Sequence, residues 1–425
     1  MKEVKAFAIT WTAVLSSKIT SCWMTELKEV FLQLKSPALL LLSFPALLLS
    51  LTAYADDKDA FNVIAGVSRK HDNNLFLSPS SRSSDNITKA YAGIQLDKRY
   101  SMQRFKANYT INTYRYQNNN RLNFNAHNYN AAWLWTLTPY LTGVLSADRQ
   151  QQLNDFQDYR NFTLVNIKNV RVTQTQHFEA DFSPHGIWHV LGGVTRSEVK
   201  NSQTFREQDD FSMYSLDGGL KYSFRSGSSI TLMGHQRQGE YGRRDPNVAF
   251  LSDTGFSEKE GEVKLDWLIS GKSRINLRTA YVSRDHDNFS QRDYSGAVGR
   301  FDYNWMPTGK LRLTLSGYSD LSSYWNNDSS YTRYNGLNIS PAYALSDKIT
   351  LRAGASISER KFLGGGIIPS SHRVDKGRSA SIGIDWTPWR SVTIGGNIVR
   401  SGRNSNAPGL DYNDTTAEID ANILF

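Results

Sequence analysis

The amino-acid sequence predicts an all-β fold: a transmembrane antiparallel up-and-down β-barrel of about 18 strands, with 16 strands as the alternative. Three observations lead to this prediction. Apolar and polar residues alternate in segments of strand length, short turns and longer polar links follow one another along the chain, and the last segment ends on an aromatic residue, Phe425. Strict alternation is typical of a strand with one apolar face and one face in water.

Residues 299–320 show the repeating unit most clearly. Aromatic side chains alternate with polar ones from Phe301 to Trp305, and leucines alternate with polar residues from Leu311 to Leu315. Met-Pro-Thr-Gly at 306–309 joins the two runs and favours a turn, because Pro fixes φ and Gly tolerates positive φ. The pattern predicts a β-hairpin.

Similar short turns recur at intervals of about 40 residues and give the strand count. They are predicted at 97–100, 138–140, 183–186, 225–228, 270–272, 306–309, 346–347 and 388–390. Longer links rich in Asn, Asp, Ser and Gly, such as 240–258, 324–330 and 361–376, lie between them. These eight hairpins, a first strand near 61–68 and a last near 415–425 make 18 strands, with both termini in the periplasm.

The composition favours a barrel over a packed globular domain. The chain has 425 residues, a formal net charge of +9, 12% aromatic residues and a mean hydropathy of −0.49. A soluble domain of this size needs more aliphatic core, although a secreted soluble β-protein is the competing interpretation. The basic residues alternate with apolar ones along strands, so no nucleic-acid partner is expected.

Residues 1–55 are predicted to be a signal-peptide region, and residues 56–425 a single barrel domain. The apolar run at 38–51 is too short for a comfortable membrane span and suits a secretory signal. Small residues before the mature chain place cleavage after Ala55. A start at Met24 gives a leader of ordinary length, and a long leader from the first residue is the alternative. The leader and the barrel together predict the outer membrane of a Gram-negative bacterium.

The last strand is predicted to carry the signal that the barrel-insertion machinery reads. Apolar residues alternate from Ala417 to the terminal Phe425, with Leu424 as the exception. The expected partners are therefore this machinery and the outer-membrane lipid. The single cysteine, Cys22, lies in the leader, which excludes a disulfide framework from the barrel.

A barrel of 16 to 18 strands encloses water, whereas eight strands are filled by their own side chains. Ten charged residues are predicted to line this pore: Arg104, Lys106, Lys221, Lys264, Arg274, Arg278, Arg300, Asp302, Arg312 and Arg352. Their basic excess predicts a weakly cationic lumen that favours anionic or polyhydroxylated solutes. The alternative for each residue is a cross-strand ion pair that holds the wall.

No catalytic, cofactor or metal site is predicted, and the protein is expected not to be an enzyme. The eight histidines are scattered, and none falls in a hydrolase or metalloprotease motif. Oxygen-rich loop clusters at 71–74, 285–288 and 326–328 lack the spacing of a calcium site and are interpreted as solvated loops.

Residues 292–316 carry the most specific resemblance to a known family. They contain Arg-Asp-Tyr-Ser-Gly at 292–296, Arg-Phe-Asp-Tyr-Asn-Trp at 300–305 and Pro-Thr-Gly-Lys-Leu-Arg-Leu-Thr-Leu-Ser at 307–316. With 72–76, 114–117, 122–124 and 408–416, these segments resemble the EpsL family, exosortase B-associated outer-membrane barrels of extracellular polysaccharide biosynthesis within the beta-barrel porin 2 group. The resemblance extends over about residues 61–425.

This resemblance implies export of an extracellular polysaccharide through the lumen, with a periplasmic polysaccharide-export component delivering the chain. It supplies no set of substrate-contacting residues. Two other hypotheses remain open from the sequence. One is a general or solute-specific uptake porin, and the other is a scaffold that anchors or assembles polysaccharide at the surface.

Overall fold

The computed structural model describes residues 60–154, 156, 167–203, 209–242, 244–248, 252–326, 329–364 and 373–425, with the backbone alone at 324–326. The predicted signal peptide, its cleavage after Ala55 and the alternative start at Met24 lie outside these residues. Among the described residues, no helix is both long and apolar enough to cross a membrane.

Eighteen strands make up most of the described chain. They are β1 (Phe61–Asp72), β2 (Asp85–Tyr100), β3 (Gln103–Tyr116), β4 (Phe124–Thr138), β5 (Leu141–Leu153), β6 (Val170–Phe182), β7 (Trp188–Asn201), β8 (Phe211–Ser223), β9 (Ser229–Glu240), β10 (Gly255–Ser270), β11 (Ser273–His286), β12 (Tyr294–Trp305), β13 (Leu311–Asn326), β14 (Ser329–Ser346), β15 (Ile349–Leu363), β16 (Val374–Trp389), β17 (Val392–Ser405) and β18 (Tyr412–Leu424). Two short 3-10 helices, Asn120–Leu122 and Ser290–Arg292, lie in the loops before β4 and β12.

The sheet closes on itself. Each strand pairs antiparallel with its neighbours in the chain, and β1 pairs with both β2 and β18. Val63 and Phe425 exchange two backbone hydrogen bonds of 2.7 and 2.8 Å at the seam. The sheet therefore leaves no open edge, which is how a strand structure satisfies its backbone inside a membrane. The prediction of an 18-stranded antiparallel barrel is confirmed.

The two faces of the wall differ in chemistry. Large apolar side chains such as Leu216, Ile382 and Ile419 point outward and are exposed. The alternate positions of the same strands are mostly polar or small and face inward. Because the apolar groups face lipid, most of the interior needs no packed hydrophobic core. One buried hydrophobic cluster, which includes Leu122, Phe124 and Phe156, packs at the extracellular end.

Tryptophans gather next to the short turns, where an aromatic girdle is expected. The exposed ones are Trp133, Trp188, Trp267, Trp305, Trp386 and Trp389. Trp135 differs, because only 6% of it is exposed. Its ring stacks on Phe178 at 5.8 Å and covers Gly143, where a Cβ would lie 2.3 Å from the ring.

Several predicted turns and loops have different bounds, and three of them show the reason. The turn predicted at 97–100 lies at 101–102, because β2 continues to Tyr100. The loop predicted at 240–258 ends earlier, since β10 begins at Gly255 and brings Glu258 into the wall. The loop predicted at 324–330 is largely strand, because β13 and β14 reach Asn326 and Ser329. In each case the polar residues that suggest a loop belong to a strand. Polar side chains are common there because one face of each strand lines the interior.

Two loop corners at the extracellular end share one design. Asp85 accepts the backbone N–H groups of Asn118 and Asn119 at 3.0 and 2.9 Å. Asp253 accepts those of Asn288 and Phe289 at 3.0 and 2.9 Å. Both aspartates are fully buried, and in both corners a 3-10 helix follows the donors. The aspartates thus fix the loops through donors two strands further along the chain.

Asp253 is ionised in this setting. Burial alone would raise the pKa of its carboxyl group, but hydrogen bonds from Asn288, Gly255 and Phe289 outweigh that effect and lower the pKa. The ionised carboxylate of Asp253 therefore helps to hold the loops at the extracellular end of the barrel.

Candidate functional site: the inner wall of the barrel

One part of the inner wall is built from charged residues and is called the charged arc here. It consists of the inward-facing side chains Asp217, His235, Arg237, Glu258, Glu260, Glu262, Lys264, Arg278 and Arg284, on β8 to β11. The alternation of β10 creates it, since Glu258, Glu260 and Glu262 share the face opposite to Val263 and Leu265. The neighbouring strands then bring arginines to the same side.

The carboxylates of the charged arc are buried by arginines. Arg237 donates to Glu258 and Glu260 at 2.6 Å each, and Arg284 lies 2.6 Å from Glu258. Arg278 bonds both Glu260 and Glu262. The three glutamate side chains are only 2–7% exposed. Charges buried this way need their partners, so these groups hold the wall together and are not available to a solute.

His235 lies within the same network. Its Nδ1 is 2.6 Å from Asp217, and its Nε2 is 3.6 Å from Glu262. Ligand atoms of His235, Glu260 and Glu262 lie within 4.8 Å of one another, a spacing that a metal ion could use. However, Lys264 sits 2.7 Å from Glu262, and arginines bond both glutamates. A metal ion would meet these cations, so the cluster belongs to the ion-pair network.

A second group of ion pairs is open to the lumen. Four arginines contact an aspartate each: Arg104 with Asp97 at 2.7 Å, Arg274 with Asp266 at 2.6 Å, Arg300 with Asp302 at 2.9 Å and Arg352 with Asp385 at 2.6 Å. The arginine side chains are 38–61% exposed. Water around such pairs weakens the attraction, so they add little stability.

The structure thus places seven of the ten predicted pore-lining residues in ion pairs: Arg104, Lys264, Arg274, Arg278, Arg300, Asp302 and Arg352. The other three, Lys106, Lys221 and Arg312, face inward and form no hydrogen bond or ion pair with any residue that the structure describes. The predicted excess of cations is therefore largely neutralised.

Sequence reasoning missed several members of the charged arc. Glu260, Arg237 and Arg284 were not among the candidates, and Glu258 was assigned to a loop. Alternation was the available signal, since counting back in steps of two from Asp266 reaches all three glutamates. The polar run 257–260 hides this pattern.

A different part of the wall carries small uncharged polar groups and is called the hydroxyl arc here. Its members are Asn338, Ser340, Ser356, Ser379, Ser381 and Asn397, on β14 to β17. They line a cavity of about 310 Å³. Glycine at 354 keeps this surface recessed, since a Cβ there would lie 2.7 Å from the Ser381 hydroxyl. Arg352 borders the cavity but is paired with Asp385.

The polar groups of the hydroxyl arc are available to a solute. Asn338 donates to Ser340 at 3.1 Å. Ser356, Ser379, Ser381 and Asn397 make no side-chain hydrogen bond with other described residues. Hydroxyls and amides offer both donors and acceptors, so this surface suits solutes that carry several hydroxyl groups.

Strands β12 and β13 separate in the extracellular half of the wall. Their pairing ends at Gly299 and Ser319, although β12 begins at Tyr294 and β13 continues to Asn326. All other neighbouring strands remain paired over most of their length. The upper part of the β13–β14 hairpin is therefore not held in the wall by hydrogen bonds to β12.

That hairpin lies against the inner face of β11 and β12. Leu321 packs on the buried side chains of Ala280 and Val298. Arg333 donates to the Ala297 carbonyl at 3.4 Å, and the ring of Tyr331 stacks on Tyr294 at 5.0 Å. Leu321, Tyr331 and Arg333 occupy positions that face outward lower on the same strands, so the hairpin bends inward and narrows the mouth.

Solved outer-membrane proteins share this architecture. The outer membrane protein OpdK of Pseudomonas aeruginosa matches with a TM-score of 0.50 and 10% identity, over 86% of this chain and 99% of that one. A structure of OpdK with vanillate matches with a TM-score of 0.50 and 9% identity, over the same shares. OccK2 (OpdF) of the same organism gives 0.50 and 7%, over 86% of this chain and 97% of that one. The protein is a Gram-negative outer-membrane β-barrel.

Comparison of the sequence with known families and proteins identifies no relative. Neither the protein-family models nor the curated proteins give a match. The resemblance to the EpsL family therefore stays a prediction, and the structural likeness carries the porin-type fold alone.

Proposed function

We propose that the protein is a porin that lets small polar solutes diffuse into the periplasm. The observation that carries this proposal is the closed 18-stranded wall whose inner face is polar. Barrels of this size leave an aqueous lumen. The mechanism is passive, with hydrated side chains lowering the barrier for a polar solute. We include in the proposal that the chain has no enzymatic activity and uses no cofactor.

The wall favours neutral solutes over strongly charged ones. Ion pairs neutralise six of the nine basic residues predicted to line the pore, while the hydroxyl arc offers hydrogen-bonding groups to a solute. We therefore replace the weakly cationic lumen expected from the sequence by a lumen with weak ion selectivity. The inward β13–β14 hairpin sets the size limit at the mouth.

Export of an extracellular polysaccharide is the second candidate function. The hydroxyl arc favours it, because hydroxyl and amide groups recognise sugars as well as other polyhydroxylated solutes. A polysaccharide chain and a periplasmic export component would then be the partners. A surface scaffold that anchors polysaccharide stays a prediction without a specific supporting contact.

Liposome swelling separates uptake from export. We expect vesicles that contain the purified barrel to swell rapidly in monosaccharides, more slowly in disaccharides and not in long dextrans. Protein-free vesicles are the control. Absence of swelling in every sugar would contradict the porin proposal. Deleting the gene and measuring surface polysaccharide tests export, which unchanged amounts in a producing strain would exclude.

A further inference from the structure

Three basic side chains form an unusual cluster on the outward face, near the extracellular ends of β16 and β17. Arg378 is opposite Gly402, and Arg400 is opposite Ala380, so the two arginines are diagonal neighbours. Diagonal positions on paired strands are about 7–8 Å apart, within reach of two long side chains that converge on one group. Lys376 lies two residues from Arg378 on the same face.

This cluster lies at the border of the apolar band. Ile357 is directly opposite Arg378 on the neighbouring strand, and Ile382 is paired with Ile398 on the periplasmic side of the cluster. These three isoleucines are 52–66% exposed on the outer face. Arg378 is also 11 residues from the end of β16 at its short turn, about the length that spans the hydrocarbon layer. The cations therefore face the headgroup region.

The cluster lacks compensating charge. Arg378, Arg400 and Lys376 are exposed, and none has a hydrogen-bond or ion-pair partner among the residues that the structure describes. Glu359 is directly opposite Lys376 in register, but its carboxylate is paired with Lys361 at 3.1 Å.

The outward cations of β7 differ from this cluster. Lys200 lies 2.7 Å from Glu198, and Arg196 lies over the ring of Tyr214 at 5.5 Å. These outward cations of β7 therefore have partners within the barrel, whereas the β16–β17 cluster joins three cations without such partners among the described residues.

We propose that Arg378, Arg400 and Lys376 bind a phosphate group of the phosphorylated glycolipid in the outer leaflet. Arginine recognises phosphate through paired N–H groups, and two converging guanidinium groups match its several oxygens. A lipid is favoured over free phosphate because its acyl chains would cover the exposed isoleucines below. The site is on the outer surface and does not depend on what passes through the lumen.

The test uses the purified full-length protein in detergent and a titration with bisphosphorylated lipid A, followed by native mass spectrometry. We expect Arg378→Gln/Arg400→Gln to weaken binding by about tenfold or more, as two charge-assisted contacts are lost. The matched control Arg196→Gln/Lys200→Gln should bind like the wild type. Equal binding by all three proteins would overturn the proposal.

A second arm needs only the wild-type protein and is independent of whether the variants fold. Lipid A without its phosphates should bind about tenfold more weakly than the bisphosphorylated form. Equal affinity for both would show that the acyl chains alone determine binding. Full displacement of the lipid by equimolar inorganic phosphate would assign the site to free phosphate and would also overturn the proposal.

Discussion

The charged arc and the hydroxyl arc belong to one barrel but use their inward positions in opposite ways. In the charged arc, Glu258, Glu260 and Glu262 are buried beneath arginines that bond them. In the hydroxyl arc, Ser379 and Asn397 have no side-chain partner among the described residues. The polar groups of the charged arc bind each other within the wall, whereas those of the hydroxyl arc can bind a solute in the lumen.

This difference shows that charge in the sequence is a poor measure of charge in the pore. A charged side chain in the wall is neutralised when the neighbouring strand supplies its counterion, as Arg278 and Glu262 do. Serine and asparagine carry no charge but remain free to bind. We therefore expect changes in the charged arc to affect stability first and changes in the hydroxyl arc to affect transport first.

The largest effect is expected from Glu262→Ala. Its removal takes the ion-pair partner from Lys264 and leaves Arg278 bonded to Glu260 alone. Because only Glu262 itself is fully buried, we expect a loss of about 3 kcal/mol in the free energy of unfolding, at the lower end for a broken buried pair. Asp266→Asn, in the exposed pair with Arg274, should cost about 1 kcal/mol or less. Urea unfolding of the purified barrel measures both. Equal losses would contradict the distinction between buried and exposed pairs.

The next effect concerns transport through the hydroxyl arc. Ser379→Trp fills the cavity of about 310 Å³ and should slow sugar-driven liposome swelling by roughly twofold or more, since lining residues set passage through a pore. The unfolding midpoint should change little. Thr175→Trp, at a partly exposed inward position of β6 outside both arcs, is the control for bulk alone. The same reduction in both variants would remove the special role of the hydroxyl arc.

A smaller effect is expected on ion selectivity. Arg312→Gln removes an inward cation without a partner among the described residues and should shift the reversal potential toward cation preference. Arg274→Gln combined with Asp266→Asn removes one charge of each sign from an exposed pair and should leave the potential unchanged. Planar-bilayer recordings in a salt gradient measure both. A larger shift in the double variant would contradict neutralisation within pairs.

The smallest expected effect is a loss of stability at low pH. It concerns the loop corner at Asp253, which lies outside both arcs. The folded pKa of Asp253 is below the ordinary value of 3.8, so its contribution to stability is complete above about pH 4 and is lost as the pH falls through the folded pKa. Hydrogen exchange of the Asn288 and Phe289 amides, corrected for intrinsic rates, should therefore accelerate at low pH. Asp253→Asn should show fast exchange at neutral pH as well. Unchanged protection at low pH would contradict the role of the carboxylate.

The fold could be predicted from the sequence because apolar and polar residues alternate with a period of two along the strands of a membrane barrel. In residues 299–320 the predicted faces match the register, with Trp305 opposite Leu313 and Asp302 opposite Ser316. The even strand count and the strand at the carboxyl terminus follow from the same pattern. The exact ends of β2 and β10 were missed, because polar residues such as Glu258 look alike in a loop and on a lumen face.

The candidate site could be predicted only in part. Alternation identifies which face a residue occupies, so Arg278 and Arg300 were placed inward without knowledge of their partners. Counterions depend on the register between strands, which the pattern of one strand does not contain. The inward bend of the β13–β14 hairpin is likewise set by contacts of Leu321 with β11 and β12.

Single-channel conductance of the purified full-length barrel in a planar bilayer is the most direct test of the central claim. An open, passive and nearly neutral lumen predicts stable ohmic steps without added energy source, with a reversal potential close to zero in a salt gradient. A correctly folded protein that inserts but shows no conductance would contradict the claim, and so would a strongly anion-selective or cation-selective channel.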